Sequence, residues 1–177
     1  MRLFFAQLAA LVLSGALCLI PLPAAAVAVG DAPPAFDLAG RAATVKLSDY
    51  AGKTVYLDFW ASWCGPCKQS FPWMNDMQTR YGAQGLRVVA INVDQKSNDA
   101  QVFLRKTPAH FDIAFDPTGQ TPKAYAIKAM PTSVLIGPDG KVLSVHSGFK
   151  DQDRSLLEQQ IRQALGPQQT PLQGNSR

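Results

Sequence analysis

Cys64-Gly65-Pro66-Cys67 is the stretch of this 177-residue chain whose residue types and spacing could carry out chemistry. Two thiols separated by two residues can close a small disulfide ring and open it again. The pair follows an apolar run, Lys53 to Trp60, that predicts a buried strand. It opens the segment Cys64 to Tyr81, where Phe71, Met74, Met77 and Tyr81 recur at three- and four-residue steps and predict a helix. A cysteine at a helix start lies near N–H groups with no intrahelical partner and near the positive end of the helix. Both favour thiolate, the form that attacks disulfides. Pro66 falls in the first turn, where its missing N–H costs little. This geometry leaves the first sulfur exposed and the second buried, so Cys64 is the expected nucleophile and Cys67 the resolving thiol. The plainer readings are a structural bridge and half a zinc site. The zinc site lacks a second cysteine pair, and His110 and His146 are 36 residues apart. A structural bridge rarely needs a strand–turn–helix context with Gly-Pro inside.

Asp58 is the one charge within the buried strand, six residues before Cys64. Desolvation there would raise its pKa; the alternative is a strand-end aspartate facing water. His146, on a late strand, could complete a copper site with the cysteine pair, although a lone strand histidine more often faces solvent.

The elements that must position these residues follow from periodicity and turn signals. Phe36 and Leu38, then Val45 and Leu47, predict an N-terminal hairpin. Strands are expected at Lys53 to Trp60, Leu86 to Val93, Ile113 to Phe115, Thr132 to Ile136 and Lys141 to His146. Helices are expected at Cys64 to Tyr81 (kinked at Pro72), Asn98 to Thr107, Pro122 to Ile127 and Asp151 to Leu165. Strands alternating with helices imply an α/β fold with a central sheet, mixed because the Pro138-Asp139-Gly140 turn makes the last two strands antiparallel.

Composition excludes other classes. A hydrophobic fraction of 47% and a charged fraction of 17% rule out a disordered chain, a coiled coil and a multi-span membrane protein. A net charge of +4 is too small to argue for nucleic acid. Arg2 is the only charge before Asp31, and an apolar stretch from Leu3 to Leu22 leads to Ala24-Ala25-Ala26 and Ala26-Val27-Ala28. Residues 1–26 therefore read as a secretory signal, with an uncleaved anchor as the alternative. Cys18 follows Leu17 rather than a small residue, so lipidation does not fit, and the third cysteine belongs to the apolar core of that segment. Residues 30–165 form the expected domain. Residues 166–177, with two prolines and little apolar content, read as a disordered tail.

The run Asp58 to Cys67 resembles the thioredoxin active site. Pro72 matches the kinking proline of its helix, and Met130-Pro131-Thr132 resembles the loop whose proline is cis and faces the cysteines. Gly148 resembles the glycine of the substrate groove. More narrowly, the secretory start, the hairpin with Leu47-Ser48-Asp49-Tyr50, and the long segment from Asn92 to Pro131 resemble the TlpA/ResA-like extracytoplasmic thiol–disulfide oxidoreductases. That resemblance implies a thioredoxin fold: a central mixed sheet flanked by helices, with an N-terminal β-hairpin and a central insertion. It implies that Asp58 relays the Cys67 proton as a general base. The lysine that thioredoxins place near this acid falls at Ala90, and an acid some relatives carry falls near Gln95, so Asp58 is expected to work without them. A substrate would lie against Trp63, Gly65, Pro66, Met130, Pro131, Thr132 and Gly148. Trp60 is expected in the core, and Phe149 either in the groove or the core. Peroxidase chemistry does not fit, because Ala61 stands where peroxiredoxins carry threonine.

The resemblance further implies a periplasmic or cell-surface dithiol reductase of protein disulfides, such as the heme-binding cysteine pair of apocytochrome c or copper-site cysteines of an oxidase. Electrons would come from a membrane thiol carrier. The enzyme is expected to be a monomer with no cofactor or metal beyond the Cys64–Cys67 disulfide. A disulfide oxidase or isomerase, or a copper-binding chaperone, is the alternative.

Overall fold

The computed structural model describes residues 26–166; residues 1–25 of the expected leader and 167–177 of the expected tail lie outside them. β1 (Asp37–Gly40) and β2 (Thr44–Lys46) form the N-terminal hairpin. β3 (Thr54–Trp60), α1 (Gly65–Tyr81) and β4 (Leu86–Asn92) follow, then α2 (Ser97–Lys106), β5 (Asp112–Phe115) and α3 (Gln120–Ala124). β6 (Thr132–Ile136), β7 (Val142–Ser147) and α4 (Arg154–Leu165) complete the fold. The strands make one seven-stranded sheet in the order β2-β1-β5-β4-β3-β6-β7. β3, β4 and β5 run parallel, and the remaining pairings are antiparallel, so the sheet is mixed.

β3 is buried at all seven positions because β4 and β6 flank it and helices or loops cover both faces. One face packs Tyr56 and Trp60 against Phe71, Trp73, Phe103, Phe111, Leu157 and Ile161. The other packs Leu57 and Phe59 with Val89, Ile91, Tyr125, Val134 and Val142. The central insertion is part of the sheet itself. β5 extends the parallel ladder beside β4 and carries β1 on its outer side, with Ala39 opposite Phe115.

Most boundaries fall within one residue of the expectation; α3 ends at Ala124 rather than Ile127, and two larger shifts at helix starts have local reasons. α3 starts two residues early because the buried Asp116 carboxylate collects N–H groups of Thr118, Gly119 and Thr121. Burial pushes this carboxyl up, but those bonds and the Thr118 hydroxyl outweigh it and hold its pKa below the usual value. The closing segment begins as a 3₁₀ turn, Asp151–Asp153, before α4.

The ends of the described chain are tied down far from the cysteines. Gly30 and Asp31 exchange backbone hydrogen bonds with Val142, at the start of β7. The Thr54 hydroxyl, at the start of β3, donates to the Ala164 carbonyl at 3.3 Å. Among the described residues, no helix is long and apolar enough to cross a membrane.

Candidate active site

The C-terminal end of β3 delivers Trp60 and Ala61 into a tight turn, and Cys64 becomes the residue that caps α1. Its backbone is extended, and its sulfur accepts the Cys67 N–H at 3.2 Å. A disulfide joins the two, with Cα atoms 5.3 Å apart. Pro66 occupies the first turn, where no backbone donor is lost. The expectation of an exposed first sulfur is corrected: Cys64 is 3% exposed and Cys67 fully buried. The capping position folds the Cys64 side chain back onto the first helical turn. Both cysteines belong to the same apolar cluster as Trp60 and Phe71.

Trp63, by contrast, is 73% exposed, and Gly65 and Pro66 are exposed beside it. The loop before β6 packs Met130 against the apolar cluster that holds both cysteines. The Met130–Pro131 bond is cis. Pro131 and Thr132 are buried and Met130 is half-buried. The Thr132 hydroxyl donates to the Ala129 carbonyl at 2.8 Å, bracing the loop from below. Gly148 has a φ of +86°, which favours glycine, and its N–H donates to the Pro131 carbonyl at 2.7 Å. That bond fixes the end of β7 against the proline loop. Phe149 is core, packed on Trp73 with ring centroids 5.5 Å apart.

Asp58 is 2% exposed, and among the described residues its Oδ2 has no hydrogen-bond partner. Burial alone raises its carboxyl well above the usual carboxylate range. It shares a sheet face with Tyr56 and Trp60, the face against which Cys67 packs. Ala90 and Ser133 are its cross-strand neighbours, and neither brings a charge. His146 stands opposite Ser133, one strand further out, with Nε2 3.4 Å from Asp153 Oδ2. Among the described residues, no group of three His, Cys, Asp or Glu side chains is placed to hold a metal ion.

The sequence reading passed over Asp94. This buried carboxylate accepts the Ser62 N–H (2.9 Å), the Ser62 hydroxyl (3.1 Å) and the Asn92 amide (2.8 Å). It clamps the turn before Cys64 onto the end of β4. Polar residues directly after an apolar parallel strand were the available signal, since such strand ends are where sites gather. Asp94→Ala is expected to strip the acceptor from three donors, one of them the buried Asn92 amide, and cost about 3 kcal/mol. Thermal unfolding of the oxidised protein should then fall by about 10 °C; an unchanged midpoint would remove Asp94 from this role.

Residues 28–161 match the Redoxin family. The chain belongs to that family. It is 33% identical over 137 residues to a thiol-disulfide oxidoreductase ResA of Bacillus thuringiensis subsp. konkukian, covering 76% of this chain and 77% of that protein. It is 36% identical over 143 residues to the ResA of Geobacillus thermodenitrificans, covering 79% and 78%. A crystal structure of a putative thiol:disulfide interchange protein DsbE from Chlorobium tepidum superposes with a TM-score of 0.79. It shares 58% identity and covers 80% of this chain and all of that one. The protein is a thiol–disulfide oxidoreductase with a thioredoxin fold, of the TlpA/ResA-like group.

Proposed function

We propose that this oxidoreductase works outside the cytoplasm as a dithiol reductase of protein disulfides, with residues 1–26 as its secretory segment. The supporting observation is the surroundings of Cys64. Among the described residues its sulfur receives one donor, the Cys67 N–H, and otherwise sits in an apolar cluster. One donor and the helix end make the thiolate accessible, while apolar burial keeps it from being strongly stabilised. A pair whose reduced form is not strongly stabilised gives up electrons readily.

In the forward reaction the Cys64 thiolate attacks one sulfur of a substrate disulfide. A mixed disulfide forms, and the other substrate sulfur leaves as a thiolate that takes a proton from water. Asp58 accepts the Cys67 proton. The Cys67 thiolate then attacks Cys64 Sγ, releasing the second substrate thiolate and leaving the Cys64–Cys67 disulfide. Two electrons have passed to the substrate. The substrate backbone lies along Met130 and Pro131, with Trp63, Gly65, Pro66, Thr132 and Gly148 forming the rest of its contact surface. A membrane thiol carrier returns the electrons, and no other cofactor takes part. The substrates are cysteine pairs such as those that bind heme in apocytochrome c. The protein acts as a monomer, and residues 166–177 take no part in the chemistry.

Equilibration of the Cys64–Cys67 pair against glutathione tests the direction. The reading expects a potential near the reducing end, about −270 mV, and a value near −120 mV would make the protein an oxidase instead.

A further inference from the structure

A groove of about 340 Å³ opens beside the cysteine pair, lined by Ser62, Lys68, Asp99, Val102, Phe103 and Lys106, with Thr107 at its end. One wall is the start of α1 and the other is α2, the first helix of the central insertion. The groove is held rigidly. Phe103 packs on Trp60 and Phe71, with ring centroids 4.6 and 4.9 Å apart, so α2 cannot shift without disturbing the core beneath Cys64.

The charges at its rim are unusual in placement. Lys106 is in the last turn of α2, where the helix dipole favours a cation. Lys68 has no such account. It follows Cys67 at the positive end of α1, whose first turn carries no acidic residue, so the dipole opposes it. Lys128 and Lys150 lie in the segments that bring Met130 and Phe149 to the apolar cluster holding the cysteines, and all four lysines are exposed. None of them takes part in an ion pair among the described residues. The acids at hand are mostly engaged: Asp99 lines the groove, Asp94 is buried on Ser62 and Asn92, Asp151 is held by Arg154 at 2.9 Å, and Asp153 accepts the Lys150 N–H and faces His146. A groove rimmed by exposed, unpaired cations next to the reacting group attracts negative charge and raises encounter rates with partners that carry it.

We propose that the groove and the two flanking loops select substrates whose disulfide lies in an acidic polypeptide segment. Carboxylates of that segment meet Lys68 and Lys106 at the groove and Lys128 and Lys150 on the loops, while an apolar side chain rests on Val102 and Phe103. This rests on the reductase reading and specifies the substrate class that it leaves open.

The test uses two disulfide-bridged peptides identical except for Asp and Glu or Lys and Arg around the bridge. The reduced full-length protein is expected to reduce the acidic peptide with a kcat/KM about tenfold higher at low ionic strength, with the preference fading as salt rises. In Lys68→Glu/Lys106→Glu the ratio of the two kcat/KM values should invert, and each single variant should fall between. Taking the ratio within each protein cancels any change in intrinsic thiol reactivity or folded fraction. Equal rates for the two peptides, a preference for the basic one, or a ratio unmoved by the double variant would overturn the proposal while leaving the reductase reading intact. Reduction of neither peptide would overturn the reductase reading itself.

Discussion

Cys67→Ala is expected to stop turnover and turn the enzyme into a covalent trap. Cys64 would still attack, so one equivalent of substrate thiol should appear per protein. The resulting mixed disulfide has no internal thiol to resolve it. Multiple-turnover activity should fall by about 10³-fold or more, the scale on which removing a reacting group acts. Cys64→Ala should lose both the burst and the turnover, because the remaining thiol is fully buried and faces the core. Thiol release measured at one protein equivalent, with mass spectrometry of the adduct, separates the two variants. Turnover persisting in Cys67→Ala would show that resolution uses an external thiol. The trap also identifies the physiological partner, since whatever accumulates on Cys64 is what the protein reduces.

Asp58→Asn is expected to slow the resolving step and at the same time stabilise the oxidised fold. The kinetic effect follows from removing a base from the protein interior, where the cross-strand neighbours of Asp58, Ala90 and Ser133, offer no charge in its place. A positioned base contributes about 10²-fold or more, so decay of the mixed disulfide should slow by about 100-fold near neutral pH. The gap should narrow as pH rises and hydroxide takes over the deprotonation of Cys67. The stability effect has a definite sign. Burial raises the Asp58 carboxyl in the folded state, while in the unfolded chain it titrates near about 3.9. Between those values the folded state binds more protons, so stability declines as pH climbs from about 4 through the folded-state value. The asparagine variant lacks this decline and should be more stable on the alkaline side, because its amide never has to ionise in the buried site. Urea unfolding of the oxidised proteins at acidic and alkaline pH tests it. Parallel pH profiles for the two proteins would mean that Asp58 stays solvated.

The fold was legible where hydrophobic period and turn residues agreed. Lys53 to Trp60 could only be a strand buried on both faces, and Phe71, Met74, Met77 and Tyr81 could only be one stripe of a helix. The thioredoxin arrangement came from the resemblance of Asp58 to Cys67, Pro72, Met130-Pro131-Thr132 and Gly148 to that family's site. Pairing partners were not legible. Nothing in Asp37 to Gly40 announces that it borders β5, because that contact depends on the long-range ladder and on no local pattern. The burial of Cys64 was missed for a related reason. Spacing places the residue at a helix start, but only the extended cap backbone shows that its side chain folds back onto the turn. Asp94 was missed because its hydrogen bonds reach Ser62, on a different connection, and a polar strand end does not say which segment it will meet. The groove needs α1 and α2 side by side, which no single segment encodes.

The anchoring of the described chain's two ends gives the molecule a handle and a working tip. Gly30 and Asp31 are sewn to the start of β7, and Ala164 to the start of β3, both at the edge of the sheet opposite Cys64. A tether, a fused domain or a solid support attached beyond either end would therefore pull on the blunt side. Trp63, Gly65 and Pro66, the exposed rim over the cysteine pair, would still be open to partners. Immobilised this way, the enzyme should reach partners on a neighbouring surface as readily as partners in solution.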